Sequence, residues 1–115
     1  MRIIAGNFKG KKILPPKNTN TRPLRDLVKE SIFNLILHSK KFNCSLFNSN
    51  ILDLFSGIGS FGLECISRDS KKVTFFENYN EALNVLKKNL NRLDIENKYE
   101  IIEKDCFRFL SNNKS

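Results

Sequence analysis

Apolar residues follow two rhythms along this chain, one with the period of helices and one of short runs that read as strands. From Leu24 onward they return every three or four positions, at Leu24, Leu27, Val28, Ile32, Leu35 and Ile36, which is the spacing of one helix face. Pro23 suits the first turn of such a helix, and Asp26 and Glu30 stand near the end where the helix dipole favours negative charge. Ahead of it lie two strand-like runs, Arg2-Ile3-Ile4-Ala5 and Lys12-Ile13-Leu14, separated by Gly6-Asn7-Phe8-Lys9-Gly10-Lys11 and closed by Pro15-Pro16. That grammar predicts a hairpin. An Asn- and Ser-rich stretch, Phe42 to Asn50, reads as a linker.

Past the linker the order is β-α-β-α-β. Ile51-Leu52-Asp53-Leu54-Phe55, stopped by Ser56-Gly57, is expected to be a buried strand, and residues 60 to 68 can form a short helix with Phe61, Leu63, Cys65 and Ile66 available to pack. Val73 to Phe76 is the second strand. Asn78-Tyr79-Asn80-Glu81 has the spacing of a capping box, and Ala82, Leu83, Leu86, Leu90 and Leu93 mark the inward face of the helix it opens. Tyr99 to Ile102 is the third strand. Parallel strands need crossover connections, so this alternation predicts an α/β fold with helices on a parallel sheet. The expected organisation is a hairpin over residues 1–20, a helix and linker over 21–49, and an α/β unit over 50–115.

A chain of 115 residues accommodates one domain, and 40% hydrophobic residues with ten Phe supply a core. Charge changes the picture more, because the net +8 is confined to one half. Residues 1 to 50 carry ten Lys and Arg against Asp26 and Glu30, whereas residues 51 to 115 carry ten of each sign. Seven cations and no acid fall in the first 25 residues, and a polyanion is the natural partner for such a segment. Arg2, Lys9, Lys11, Lys12 and Arg22 could track a phosphate backbone while Phe8 stacks on a base. The bland alternative is a Lys-rich solvated surface. Lys87, Lys88 and Arg92 of the later helix, with acids nearby, read as solvent-facing only.

No apolar run approaches a membrane span, and the start lacks a signal-peptide core, so a cytoplasmic protein is expected. Cys44, Cys65 and Cys106 are odd in number and widely spaced, which suits reduced thiols better than a disulfide framework or a metal site. His38, the single histidine, reads as a helix-terminal residue.

The candidate chemistry gathers around Gly57, Gly59 and Gly62. They satisfy G-x-G-x-x-G between a strand and a helix, where the pattern favours close approach of backbone to a nucleotide-like ligand. Glu77 follows the second strand, twenty positions after Gly57, where a carboxylate can accept from ribose hydroxyls. Asp53 separates the cofactor classes: it would repel the pyrophosphate of a dinucleotide, whereas S-adenosylmethionine brings an ammonium and a sulfonium. Asp105 stands at the same carboxyl edge of the sheet. Each carboxylate could instead be a solvated loop residue or a helix cap.

Asp53-Leu54-Phe55-Ser56-Gly57-Ile58-Gly59 resembles the first cofactor motif of class I S-adenosylmethionine-dependent methyltransferases. Arg2-Ile3-Ile4-Ala5-Gly6 with Phe8-Lys9-Gly10, then Thr21-Arg22-Pro23 and Val28-Lys29-Glu30-Ser31-Ile32-Phe33-Asn34, are similar to the bacterial RsmD family, from residue 2 to about residue 110. That family methylates the exocyclic N2 of a guanine in small-subunit (16S) ribosomal RNA. The resemblance implies the Rossmann-like class I sheet, with residues 50–115 as the first half of its cofactor domain. It also implies cofactor contact by Asp53, Phe55, Ser56, Gly57 and Gly59, ribose binding by Glu77, and adenine binding around Asp105 and Cys106. Thr21, Arg22 and Pro23 would lie close to the methionine end of the cofactor, and the basic hairpin would face RNA.

One departure stands out. The family carries Asn or Asp followed by Pro-Pro and an aromatic residue after its fourth strand, and that motif grips the target amino group. No proline follows Pro23 in these 115 residues, so no catalytic residue can be assigned. The sheet is expected to be incomplete, with an apolar strand edge open to pairing or self-association. The expectation is the N-terminal part of a longer reading frame, a chain completed by another polypeptide being the alternative. A non-catalytic RNA-binding module with a vestigial cofactor fold and a nicotinamide-dependent oxidoreductase are the competing functions, and Asp53 argues against the second.

Overall fold

The computed structural model describes residues 1–16, 26–38, 45–54 and 56–112. Three strands form a parallel sheet in the order β1 (Asn50–Asp53), β2 (Lys72–Phe76), β3 (Tyr99–Ile102). The crossovers are α2 (Ser60–Ser67), and α3 (Asn80–Asn91) followed by a 3-10 turn over Glu96–Lys98. Helix α1 (Asp26–His38) precedes the sheet and α4 (Cys106–Asn112) follows β3. This is the Rossmann-like α/β arrangement read from the sequence, with the first three strands of its sheet.

Register aligns Ile51 with Val73 and Tyr99, and Asp53 with Phe75 and Ile101. Alternation puts these six on one face. There α2 and α3 cover Val73 and Phe75, both with no exposed surface. Ala82, Leu83, Leu86, Leu90 and Leu93 are all buried, as their helical spacing demands. On the opposite face Phe76 meets Phe109 of α4, ring centroids 5.3 Å apart. Leu52 on that face is 61% exposed, so the run expected to be a buried strand is open on one side. No described element packs over the β1 end of this face.

Helix α1 presents a different face to the core from the one its apolar spacing predicts. Leu27 is 76% exposed, and Val28 and Leu35 are exposed too, while Lys29 and Phe33 are completely buried. The cause is what α2 offers. Phe33 stacks on Phe61 at 4.9 Å, and the Arg68 guanidinium lies over the Phe33 ring at 4.5 Å. Lys29 Nζ meets the buried Glu64 carboxylate at 3.3 Å. A cation with a buried carboxylate waiting for it belongs inside, which hydrophobic periodicity cannot register.

The hairpin is reduced to one antiparallel bridge between Arg2 and Lys12. Cross-hairpin bonds continue only to Ile3, which donates to the Lys11 carbonyl and accepts from the Gly10 amide, because beyond it the Ile4 and Ala5 amides donate to Glu64, at 2.9 and 3.0 Å. The Phe8 amide donates to Ser67 Oγ, and the Leu14 amide to Asn89 Oδ1. Asn89 returns its own amide to the carbonyls of Leu14 and Ile58. Residues 1–16 are thus fastened to α2 and α3. The capping box fails as well: the N-cap of α3 is Tyr79, and the amides of Asn78 and Tyr79 donate to Glu77. His38 is the exposed last residue of α1, and Cys65 and Cys106 are buried free thiols.

Candidate functional site

The turn after β1 folds back on itself. Ser56 Oγ donates to the Asp53 carbonyl at 2.9 Å, the Ser56 amide to the Phe76 carbonyl at 3.2 Å, and the Gly59 amide to the Ser56 carbonyl at 2.9 Å. Gly59 sits at φ +91, a left-handed conformation that glycine adopts without strain. Gly62, in the first turn of α2, lies so close to β2 that a Cβ there would collide with the Phe75 ring. The third glycine therefore sets the distance between helix and strand, and with it the position of the loop.

Glu77 follows β2 and reaches back to that loop. Its Oε1 accepts from the Gly57 amide at 2.7 Å, while Oε2 accepts from Tyr79 at 3.0 Å and Asn78 at 3.2 Å. Asp105 follows β3, where its Oδ1 accepts from the Phe107 amide at 2.8 Å and starts α4. Between the two carboxylates the carboxyl edge of the sheet holds a cavity of about 110 Å3, walled by Leu54, Phe76 and Phe107 and edged by Glu77, Asp105 and Cys106.

The chemistry of this acceptor set suits an adenosyl group. At about 110 Å3 the cavity is below the roughly 300–1,000 Å3 of ordinary ligand sites, so the group would extend beyond it along the open carboxyl edge. Two carboxylates accept from hydroxyl and amino hydrogens, and apolar walls flank the space between them. Glu77 already accepts three backbone amides, so a ribose would share or displace the one from Gly57. Asp53, half-buried at the end of β1, lies outside the walls of this cavity. Its charge and that of Glu64 add to burial in pushing the Cys65 thiol up to about 12. Cys65 is therefore a protonated packing residue rather than a nucleophile.

The residues singled out in the sequence fall into three groups. Asp53, Ser56, Gly57, Gly59, Glu77, Asp105 and Cys106 converge at the carboxyl edge or the turn below it. Arg2, Lys9, Lys11 and Lys12 are exposed along the N-terminal segment, whereas Phe8 is half-buried against the core. Thr21, Arg22, Pro23 and Phe55 lie outside the described residues. No group of three or more His, Cys, Asp or Glu that could hold a metal occurs among the described residues. No helix among them is long and apolar enough to cross a membrane.

Sequence reasoning missed the group that joins the N-terminal segment to this turn. Lys29 Nζ donates to Ser60 Oγ and to the Arg2 carbonyl, each at 3.2 Å, and Glu64 also accepts from Arg68 Nε at 2.9 Å. Ser60 opens α2 directly after Gly59. The one available signal was a lysine and a glutamate each set among apolar helix positions.

The family model described as "Conserved hypothetical protein 95" matches residues 1–115. The chain belongs to this family. Its curated relatives include the ribosomal RNA small subunit methyltransferase D of Haemophilus influenzae, 39% identical over 96% of this chain and 54% of that protein. The Escherichia coli protein of the same name is 31% identical over 96% of this chain and 52% of its own length. The solved structure of the Escherichia coli candidate methyltransferase yhhF superposes with a TM-score of 0.78 at 31% identity, over 96% of this chain and 56% of that one. A Haemophilus influenzae candidate methylase gives 0.67 at 38% identity, over 95% of this chain and 54% of that one. This member of the family therefore spans about half the length of its curated relatives, and the half it spans includes the glycine turn and Glu77.

Proposed function

We propose that the chain supplies the cofactor half of an S-adenosylmethionine-dependent ribosomal RNA methyltransferase acting on guanine N2 of 16S ribosomal RNA in the cytoplasm. The observation that carries this is the convergence of the Gly57–Gly59 turn with Glu77 at 2.7 Å, beside a cavity edged by Asp105. Bound there, the cofactor supplies an electrophilic methyl group. In this reading Glu77 holds ribose hydroxyls, Asp105 and Cys106 border the adenine, and the half-buried Asp53 favours the cationic methionine end. Thr21, Arg22 and Pro23 approach that same end. Arg2, Lys9, Lys11 and Lys12 draw the RNA backbone to the N-terminal segment.

Guanine N2 is a weak nucleophile because its lone pair is delocalised into the ring. Transfer therefore depends on holding the amine in line with the methyl group and accepting polar contacts from it. No Asn or Asp-Pro-Pro-aromatic motif lies within these 115 residues. We accordingly expect the chain alone to bind S-adenosylmethionine without transferring its methyl group. Isothermal titration tests the reading: saturable binding that is lost in Asp53→Ala and Glu77→Ala supports it, and a heat of binding for NADH but not for S-adenosylmethionine overturns it. RNA binding without cofactor binding favours the alternative of a non-catalytic RNA-binding module. The exposed Leu52 beside the β1 edge further supports self-association through this part of the sheet.

A further inference from the structure

The bridge between Arg2 and Lys12 places two cations directly opposite each other on antiparallel segments. Residues so paired project to the same side, where like charges repel. Both border a cavity of about 580 Å3, and its lining includes a third cation, Arg92, from the C-terminal end of α3. Met1, Ile13, Leu14 and Pro15 complete the lining with Gly10, and no acidic residue contributes. All three cationic side chains are exposed and form no ion pair among the described residues. What sets these three apart is their convergence on one cavity, since other exposed cations such as Lys9, Lys11 and Lys88 also lack an ion pair among the described residues. Among the described residues, three chain segments bring positive charge together around a cavity that no acidic side chain lines.

We infer that Arg2, Lys12 and Arg92 form a phosphate-binding groove that takes the sugar-phosphate backbone of the RNA substrate, with Arg92 as its third contact. The inference rests on the RNA-methyltransferase reading and extends it beyond the N-terminal segment. The volume lies within the range of ordinary ligand sites and suits one or two nucleotides. Three unpaired cations match the charge of phosphodiesters, and the apolar lining of Ile13, Leu14 and Pro15 suits the sugars between them. Arg92 also explains why these cations face a shared space: Leu14 is tied to Asn89, one turn earlier on α3, at 2.7 Å. That bond holds the end of the helix against the bridge.

The test compares Arg92→Gln with Lys88→Gln, an exposed position on α3 outside the groove. Binding of a fluorescent 16S ribosomal RNA fragment to the 115-residue chain is followed by anisotropy across a salt series, with cofactor titration and thermal melting as controls. Loss of one phosphate contact lowers the slope of log affinity against log salt by about 0.7–0.9. Arg92→Gln should show that decrease and weaken binding several-fold, with cofactor affinity and melting unchanged. Its effect should be less than additive with Arg2→Gln and Lys12→Gln, because all three act on one stretch of backbone. Equal slopes for Arg92→Gln and Lys88→Gln, with Lys9→Gln and Lys11→Gln still weakening binding, would overturn the groove and leave the RNA reading standing. A wild-type chain that binds no RNA would overturn both.

Discussion

At the scale of single residues, the buried Lys29 and Glu64 pair says most about how the chain holds its shape. Both side chains are 0% exposed. Glu64 accepts from the Ile4 and Ala5 amides, Lys29 and Arg68, while Lys29 divides its three hydrogens among Glu64, Ser60 and the Arg2 carbonyl. Such a site is costly to break from one side. Lys29→Met leaves Glu64 short of its partner and should lower unfolding free energy by about 3–5 kcal/mol in urea titrations, and adding Glu64→Gln should recover part of the loss. A single variant as stable as wild type would contradict the network.

Cys65 gives a prediction of opposite character. Its folded thiol titrates at about 12 against an ordinary 9.0, so above pH 9 the unfolded chain releases a proton that the folded chain keeps. Its contribution is therefore complete below pH 9 and is lost as pH rises toward 12, at up to about 1.4 kcal/mol per pH unit. Melting temperatures measured from pH 8 to 11 should fall less steeply in Cys65→Ala than in wild type. Parallel curves would refute this.

At the scale of elements, Gly62 ties the motif to the packing. Gly62→Ala would drive a methyl group into the fully buried Phe75 ring, a small-to-large change expected to cost about 1–3 kcal/mol, read as a lower urea midpoint. Because α2 and the turn before it would shift together, cofactor affinity should fall as well. The contrast between α1 and α3 shows which elements sequence makes legible. In α3 nearly every inward position is apolar, so spacing alone identified Ala82, Leu83, Leu86 and Leu90, with Leu93 buried just past its end. In α1 two apolar stripes compete, and the choice between them is made by Glu64 and Phe61 on another helix. No local pattern contains that information. The hairpin was similarly recognisable as two runs and a turn, but its pairing ends where Glu64 captures two backbone amides.

At the scale of the whole molecule, the basic N-terminal segment and the turn after β1 form one connected structure. Lys29 and Glu64 join the first residues to Ser60, and Asn89 joins Leu14 to Ile58 within the turn. The parallel strands and the placement of Glu77 and Asp105 at their carboxyl edge were readable in advance, since both follow from β-α alternation and the position of each carboxylate after a strand. Arg92 was not, because its approach to Arg2 and Lys12 depends on how α3 docks. RNA held by the N-terminal segment would thus rest on the elements that position the cofactor.

That arrangement makes cofactor binding by the glycine turn the claim on which the rest depends. Isothermal titration of the 115-residue chain with S-adenosylmethionine, repeated on Glu77→Ala, tests it most directly. The expected result is saturable one-to-one binding in the wild type, with affinity lost in the variant while the fold persists by circular dichroism. No binding to the folded wild type, or equal binding to folded Glu77→Ala, would contradict it.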